Sequence, residues 1–420
     1  MGIFSNKILS NSLWMMLEKF LGIFGLIFVN SYMAKYIGPE NFGKLAFATS
    51  IFLFVQTFSW FGAQNLLFKR LSENVKSGIK LAIKTQNMRR GLFFCASFIA
   101  LIYLWFSSDT LTFVFGLGNC IASYFVVSDI YTIYNNSQLT SIVNALSNIV
   151  GLILALITRF FLVFFEASAY TMIFPIIILA LSPYLIRKVY FYKKNKEKYV
   201  MLNSRKYNKY MFLTGGSLVV STLSIVIYTQ ISNIFLAKYV SFSQLAIYNV
   251  AMTLGSAWGF INIALITSYF SKIYATQQDN IQSIYLRQIH LIVMTISIIA
   301  FAGVMFVGHW VVELLYGKEY LESAKLLPFI VVATLFSGMG TISYRYMLKF
   351  DAYKYLSIKM LIVCIFSILI SYFFIKYYGI MGAAFCFVLM EFISLTIANY
   401  LFRNGLILKM HLNIISGKFL

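Results

Sequence analysis

The sequence predicts an all-α integral membrane protein with about twelve transmembrane helices in two six-helix lobes, and three observations lead to this fold class. First, 60% of the 420 residues are hydrophobic, only 11% are charged and the mean hydropathy is +0.80, which is too apolar for soluble domains. Second, apolar runs of membrane-spanning length recur along the whole chain. Third, a motif that follows the first run returns 203 residues later.

The apolar runs define the predicted spans. A helix needs about 20 apolar residues to cross a bilayer, and helices are favoured because an isolated strand leaves its backbone groups unpaired in lipid. Runs of this kind lie at 13–33, 45–67, 91–107, 110–131, 141–164, 169–186, 211–236, 244–270, 288–310, 326–347, 355–377 and 381–402. Six spans lie on each side of a basic stretch from Arg187 to Lys209. We therefore place an N-terminal lobe at residues 1–195 and a C-terminal lobe at residues 196–420.

Two internal matches indicate that one half is a duplicate of the other. Asn30–Tyr36 and Asn233–Tyr239 share Asn, Ala, Lys and Tyr in register, and a polar turn and a second apolar run follow each copy. Ile157–Phe165, at the end of span five, resembles Ile370–Tyr378, at the end of span eleven. Repeated halves are common in transporters, and an even number of spans per half implies a symmetry axis along the membrane normal.

The distribution of charge predicts the orientation. The connections on the side of the N-terminus carry 24 Lys and Arg residues, whereas those on the opposite side carry 6. The positive-inside rule therefore predicts that both termini are cytoplasmic. The net charge of +21 is then mainly topogenic, with a further attraction to anionic membrane lipids, and no nucleic-acid partner is predicted.

No constellation for catalysis or metal binding is found in the sequence. The three histidines, His290, His309 and His411, lack metal-ligand spacing, and no glycine-rich phosphate loop followed by Gly-Lys-Ser/Thr occurs. The four cysteines lie in apolar runs, where they act as small hydrophobic residues. No cofactor, metal or ATPase activity is predicted.

Three motifs resemble those of a known family. They are Ala34–Gly43, Leu315–Tyr320 and Tyr378–Ala384, and they resemble the Wzx-type polysaccharide flippases of the multidrug/oligosaccharidyl-lipid/polysaccharide exporter (MOP) superfamily. The resemblance covers essentially the whole chain. One departure is Ser232, because many relatives carry an Asp at this place in span seven.

The resemblance implies both the architecture and the activity. The two lobes would surround a central cavity that opens alternately to each side. The cargo would be an undecaprenyl-diphosphate-linked oligosaccharide, such as an O-antigen or capsule repeat unit, moved from the inner to the outer leaflet of the bacterial cytoplasmic membrane. A glycan polymerase and a chain-length regulator would be partners, and no cofactor would be needed.

Charged residues within spans are candidates for this cavity, because an ionisable side chain is costly among lipid tails. In span one, Lys19 follows Glu18 and shares a helical face with Gly22, Leu26 and Asn30. This face suits a cavity wall that includes Lys19 and Asn30. The alternative is that Lys19 extends to the inner headgroups on its long side chain.

Span five carries the clearest polar face. Asn144, Asn148, Gly151, Ala155 and Thr158 recur at helical spacing, with Arg159 beside them. Small residues in such a stripe also suit a close helix contact. Arg159 lies in the outer half of the span, where we predict a cavity position, with the outer interface or a structural ion pair as alternatives. For Arg345 and Lys359, near the cytoplasmic ends of spans ten and eleven, extension to the headgroups is preferred.

Two acidic residues are candidates for ion coupling or for a structural pair. Asp129 lies near the inner end of span four, at the depth of Lys19, so the two could form an ion pair. Glu391 lies near the middle of span twelve, where similar flippases often carry an acid. A hydrogen bond to a neighbouring helix is the alternative role for Glu391.

The leading hypothesis is that Lys19 receives the diphosphate and Arg159 holds it further out, with Asn30 and Asn148 as polar substrate contacts. Arg offers a planar fork to phosphate oxygens and Lys a compact charge. A drug or cation antiporter is the second reading, although it would favour an acidic cavity. A membrane polymerase or ligase is the third and least favoured, because the longest outer connection, Val311–Lys325, is too short for an external domain.

Overall fold

A computed structural model describes residues 2–195, 205–276 and 278–416, and this part of the chain is helical, with no strand. The side chains of some N-terminal residues, Glu18 and Lys19 among them, lie outside the described part. In chain order the helices are α1 Gly2–Trp60, α2 Ala63–Glu73, α3 Val75–Lys84, α4 Gln86–Ser107, α5 Thr110–Ser128, α6 Ile130–Ser137, α7 Ser141–Phe164, α8 Ile173–Lys194, α9 Arg205–Tyr239, α10 Phe242–Ser256, α11 Gly259–Ala275, α12 Asp279–Tyr316, α13 Ser323–Leu348, α14 Tyr353–Leu395, α15 Ile397–Tyr400 and α16 Leu406–Ser416. Short 3₁₀ turns cover Ala169–Met172 and Lys318–Tyr320.

Ten helical segments of the described chain are long and apolar enough to cross a membrane, and two of them contain a pair of spans. Helix α1 has 59 residues, or about 88 Å at 1.5 Å per residue, far more than a bilayer of about 30 Å. It bends at Gly38, and α14 bends at Gly379. Counting each bent segment twice gives the twelve spans that the sequence predicts, so the predicted all-α membrane fold is confirmed.

The three motifs that resemble flippase sequences each contain a glycine with positive φ. Gly38 has φ 75° and ψ 169°, Gly317 has φ 91°, and Gly379 has φ 57° and ψ −134°. Side chains with a Cβ rarely adopt these conformations. The glycines therefore reverse the chain between consecutive spans. Within α1, Pro39 begins the helix that follows Gly38, because the proline ring already fixes φ near its helical value.

Two of the differences between the predicted spans and the observed helices bear on the functional site. Span six was predicted to end at residue 186, but α8 continues to Lys194, about two further turns. Span four was predicted as one helix, but α5 and α6 meet at Asp129. Asp129 caps α6, since its carboxylate accepts from the backbone N–H of Thr132 at 3.2 Å. Both differences bring charged groups into the helix bundle.

The chain forms two compact units, residues 1–226 and 227–420, with the boundary inside α9. In the first unit α7 packs on α8, and α1 packs on α5 and α7. In the second unit α13 packs on α10, α12 and α14. Large apolar side chains are exposed on both units, as in Phe106 (83%) and Phe306 (87%), which is the pattern of helices that face lipid.

The contact between α7 and α8 depends on Gly151. A Cβ at this position would lie 2.7 Å from Cγ of Pro183, closer than packed atoms allow. The small residues of span five therefore serve a helix contact, one of the two alternatives for this stripe. This close approach also brings the polar residues of α7 within reach of α8.

Candidate functional site

The central polar feature of the N-terminal unit is a buried ion pair between Asp129 and Arg187. Nη1 of Arg187 lies 2.5 Å from Oδ2 of Asp129, and the two residues are 5% and 8% exposed. The same Oδ2 accepts from the hydroxyl of Thr132 at 2.9 Å. A buried carboxylate that is both paired and hydrogen-bonded has its desolvation cost offset.

Residues of α7 complete the coordination of this arginine. Nη2 of Arg187 donates to Oδ1 of Asn148 and to the backbone carbonyl of Asn144 at 3.4 Å. The amide of Asn144 donates to Oδ1 of Asn136 at 2.8 Å and accepts from Asn135 at 2.9 Å. The network thus joins the end of α5, helix α6, the first turns of α7 and the last turns of α8, and the predicted site residues Asp129 and Asn148 belong to it.

Sequence reasoning did not find Arg187, because the charge count assigned it to the basic stretch after span six. The feature of the sequence that indicates its burial is helical spacing. One buried face of α8 consists of Pro183, Tyr184, Arg187 and Phe191. The ion-pair partner predicted for Asp129 was Lys19, whose side chain lies outside the described part. Within the described residues, Arg187 is the cation that pairs with Asp129.

A cavity of about 250 Å³ lies beside this network. Its polar lining comes from the ion pair together with Trp60, Gln64, Thr132 and Asn148. Gln64 is exposed whereas Asp129 and Arg187 are buried. The cavity therefore leads from an accessible glutamine to a buried ion pair.

Arg159, the predicted outer cation, is 2% exposed and lies within the N-terminal unit. Its Nε and Nη1 have no hydrogen-bond partner among the described residues. A buried guanidinium without partners is costly. It is therefore a strong attractor for an anion that reaches it.

Arg89 is a second buried cation that sequence reasoning assigned to a loop. It is 1% exposed, its guanidinium lies 5.2 Å from the centre of the Trp60 ring, and its Nη2 donates to the carbonyl of Ala82 at 3.1 Å. The signal is again periodicity, because Arg89, Phe93 and Ser97 lie on one buried face of α4. This contact holds the Trp60 ring in place at the cavity wall.

Asn30 and Lys19 are the predicted site residues of span one. Asn30 is half-buried on α1. The backbone of Lys19 is helical, but its side chain lies outside the described part. Its contribution to a substrate site stays a prediction.

In the C-terminal unit, Glu391 is 7% exposed and accepts a hydrogen bond from the hydroxyl of Tyr228. Lys359 is 6% exposed, and its Nζ donates to Oδ1 of Asn399 at 2.8 Å. The expectation that Lys359 extends to the headgroups is therefore wrong. A close amide acceptor on the neighbouring segment holds the ammonium inside the bundle instead. Arg345 donates to the hydroxyl of Thr267 at 2.9 Å.

A polar cluster around His411 joins α16 to the other helices of the C-terminal unit. The Nε2 atom of His411 lies 3.3 Å from the hydroxyl of Ser343, and its Nδ1 lies 3.1 Å from the hydroxyl of Tyr400. The rings of His411 and His290 meet edge to face at 5.5 Å. Burial lowers the pKa of His411 to about 4, so this imidazole is neutral at pH 7.

An exposed ion pair ties α1 to the start of α5. Lys44 donates to Oδ2 of Asp109 at 2.9 Å. Burial by itself would raise the pKa of Asp109, but hydrogen bonds from Thr112 and Lys44 outweigh it and the pKa falls below its usual value. Within the described residues no group of three or more His, Cys, Asp or Glu side chains is placed to hold a metal ion.

Comparison with solved structures shows which proteins share this fold. The lipid II flippase MurJ in its inward closed conformation has a TM-score of 0.70 at 18% identity, covering 97% of this chain and 91% of that one. A MOP superfamily transporter from Pyrococcus furiosus, described by a reversed polarity of its binding pocket, has a TM-score of 0.65 at 11% identity and coverages of 96% and 95%. An outward-facing multidrug resistance MATE transporter scores 0.62 at 13% identity, with coverages of 98% and 96%. The chain therefore shares its fold with these three proteins.

The particular family follows from the sequence comparison. The chain belongs to the polysaccharide biosynthesis protein family, whose model matches residues 32–325. No curated protein sequence matches the chain. The family and the fold agree with the resemblance to polysaccharide flippases, and the ten apolar helical segments of the described chain make the protein a multi-pass membrane protein.

Proposed function

We propose that this protein moves an undecaprenyl-diphosphate-linked oligosaccharide from the cytoplasmic to the outer leaflet of the bacterial cytoplasmic membrane by alternating access. The observation that carries the proposal is membership of the polysaccharide biosynthesis protein family over residues 32–325. Membrane assembly of a polysaccharide requires its lipid-linked precursor to cross the bilayer. Both termini are proposed to be cytoplasmic, on the basis of the 24 to 6 distribution of Lys and Arg.

Arg159 is proposed to hold the diphosphate during translocation. Its buried guanidinium lacks partners for Nε and Nη1 among the described residues, and a phosphate oxygen pair would satisfy both donors. Lys19 is proposed to receive the same group earlier, on the cytoplasmic side, with Asn30 and Asn148 as polar contacts. A cationic drug, in contrast, would be repelled by Arg159.

Glu391 is proposed to couple transport to an ion gradient, because it is a buried carboxyl that accepts a hydrogen bond from an uncharged hydroxyl. Asp129 is proposed as a structural pair, since Arg187 already neutralises it. Anionic membrane lipids are proposed to bind the basic cytoplasmic connections. A glycan polymerase and a chain-length regulator are proposed to act on the exported product.

The test is complementation of a bacterial strain whose chromosomal copy of this gene is deleted. The deletion should abolish surface polysaccharide and accumulate the lipid-linked oligosaccharide on the inner leaflet, and the wild-type gene should restore export. Arg159→Ala should fail to restore export at normal protein level, whereas Arg159→Lys should restore part of it. Arg205→Ala is the control, since Arg205 is exposed.

Two results would contradict different parts of the proposal, one the flippase function and the other the role of Arg159. One is normal surface polysaccharide in the deletion strain, combined with a new sensitivity to cationic drugs, which would favour the antiporter reading. The other is full export by Arg159→Ala, which would remove this residue from the substrate path and leave the flippase function intact.

A further inference from the structure

The cavity beside the Asp129–Arg187 pair has a composition that the proposed function does not yet use. Six polar or aromatic residues from four different spans converge on it, and its volume is about 250 Å³. This is below the range of about 300–1,000 Å³ that drug-sized ligands occupy. The cavity thus suits a small ligand or one unit of a larger one.

The charge of the cavity excludes two classes of ligand. Asp129 and Arg187 neutralise each other at 2.5 Å, so the lining carries one full positive and one full negative charge and no excess of either. A diphosphate needs uncompensated cations, and a cationic drug needs an uncompensated acid. A neutral polar ligand meets neither difficulty.

The remaining groups fit an uncharged carbohydrate. The Gln64 side chain makes no hydrogen bond to the described part of the protein, and an amide offers both donors and acceptors to sugar hydroxyls. Asp129 and Thr132 add oxygen acceptors. Trp60 contributes an indole ring whose centre lies 5.2 Å from the guanidinium carbon of Arg89. A ring held in this way can pack against the apolar face of a sugar with little loss of conformational entropy.

The geometry points to a sugar subsite, in which Trp60, Gln64, Thr132 and the Asp129–Arg187 pair bind one uncharged sugar residue of the lipid-linked oligosaccharide. The inference rests on the proposed flippase function. It assigns the recognition of the glycan to this cavity and the recognition of the diphosphate to Arg159. The protein would therefore discriminate between lipid-linked glycans through contacts with the sugar itself.

The experiment compares two lipids that differ in the glycan. One probe is the lipid-linked oligosaccharide extracted from the deletion strain, and the other is undecaprenyl diphosphate. Binding of both to the purified full-length protein in lipid nanodiscs is measured by native mass spectrometry. The wild-type protein should bind the glycosylated lipid more tightly than undecaprenyl diphosphate.

The main variant is Gln64→Ala, because Gln64 is exposed and its replacement leaves the helix packing intact. Loss of one or two hydrogen bonds should weaken binding of the glycosylated lipid about fivefold and leave undecaprenyl diphosphate unaffected. Trp60→Leu should act in the same direction. Asn65→Ala is the matched control, since Asn65 is the adjacent exposed residue on α2 and does not line the cavity, and it should change neither affinity.

The outcomes are separable from failure of the proposed function. If the deletion strain accumulates no lipid-linked oligosaccharide, the flippase proposal fails and the subsite falls with it. If the strain accumulates the lipid and the wild-type protein binds it, but Gln64→Ala weakens both lipids equally or neither, the flippase function stands and the sugar subsite is overturned. Absence of any preference of the wild-type protein for the glycosylated lipid overturns the subsite as well.

Discussion

Arg187, in the last turns of α8, forms its ion pair with Asp129 at the junction of α5 and α6, although 58 residues separate them in the sequence. The pair is buried and also joins α7 through Asn148. It therefore connects α5, α6, α7 and α8 of the N-terminal unit. Its removal should affect both stability and the cavity beside it.

Asp129→Asn should destabilise the protein by about 3–5 kcal/mol, because it leaves the Arg187 charge buried without a counterion. The measurement is thermal unfolding of the purified protein in detergent. The double variant Asp129→Asn/Arg187→Gln should lose less than the two single variants together. Glu73→Gln is the control, since Glu73 forms an exposed pair with Lys69 at 4.0 Å, and it should change stability by less than about 0.5 kcal/mol. Additive single effects would contradict a direct interaction.

Gly151→Ala should force α7 and α8 apart. The new Cβ would lie 2.7 Å and 2.8 Å from two ring carbons of Pro183, and the proline ring cannot rotate away. A cost of about 1–3 kcal/mol is expected from such overpacking, measured as a lower unfolding temperature. Gly91→Ala is the control, because nothing lies within 4 Å of its added Cβ, and it should be neutral or stabilising. Equal unfolding temperatures for the two variants would show that α7 and α8 do not require this close contact.

Gly379→Ala should test the turn between spans eleven and twelve. Nothing lies within 4 Å of the added Cβ, so its effect comes from backbone strain at φ 57° and ψ −134°. The expected loss of stability is about 1–3 kcal/mol. Gly303→Ala has equally open surroundings but lies inside helix α12 and should be stabilising. A stabilising Gly379→Ala would refute the strained turn.

The buried His411 should make stability depend on pH. Its pKa is about 4 in the folded protein, against a usual value of 6.5. Between these values the unfolded chain binds a proton that the folded protein does not, so stability should fall as the pH decreases from 6.5 to 4 and then level off. His411→Gln should lose this part of the pH dependence of the unfolding temperature. His309→Gln, which replaces an exposed histidine, should retain the wild-type profile; a profile unchanged by His411→Gln would disprove the assignment.

Glu391→Gln should uncouple transport from its driving ion. The substitution keeps the size of the side chain and its ability to accept from the Tyr228 hydroxyl, but it cannot gain or release a proton. Export by this variant should no longer respond when the pH gradient is collapsed. Glu166→Gln is the control, because Glu166 is an exposed residue between α7 and α8. If export by Glu391→Gln keeps its full response to the gradient, Glu391 has only a structural role.

Much of the fold could be predicted from the sequence because it depends on local chemistry. Twelve spans follow from the lengths of apolar runs, whereas the positive φ of Gly38, Gly317 and Gly379 was seen only in the structure. The resemblance of the motifs around these glycines to polysaccharide flippases agrees with the family match over residues 32–325. Span ends were less certain, as α8 shows, because hydropathy does not mark the end of a helix that continues into polar residues.

The sequence by itself thus determined the class, the number of spans and the basic distribution of charge, since each is a property of composition along the chain. Only the tertiary structure decided which charges meet. Arg187 reads as one of several basic residues after span six, and Lys359 as one near a span end, until packing brings them to Asp129 and Asn399. The reason is physical: the partners of these two buried charges come from segments distant in sequence, and no local pattern encodes which helices will be neighbours.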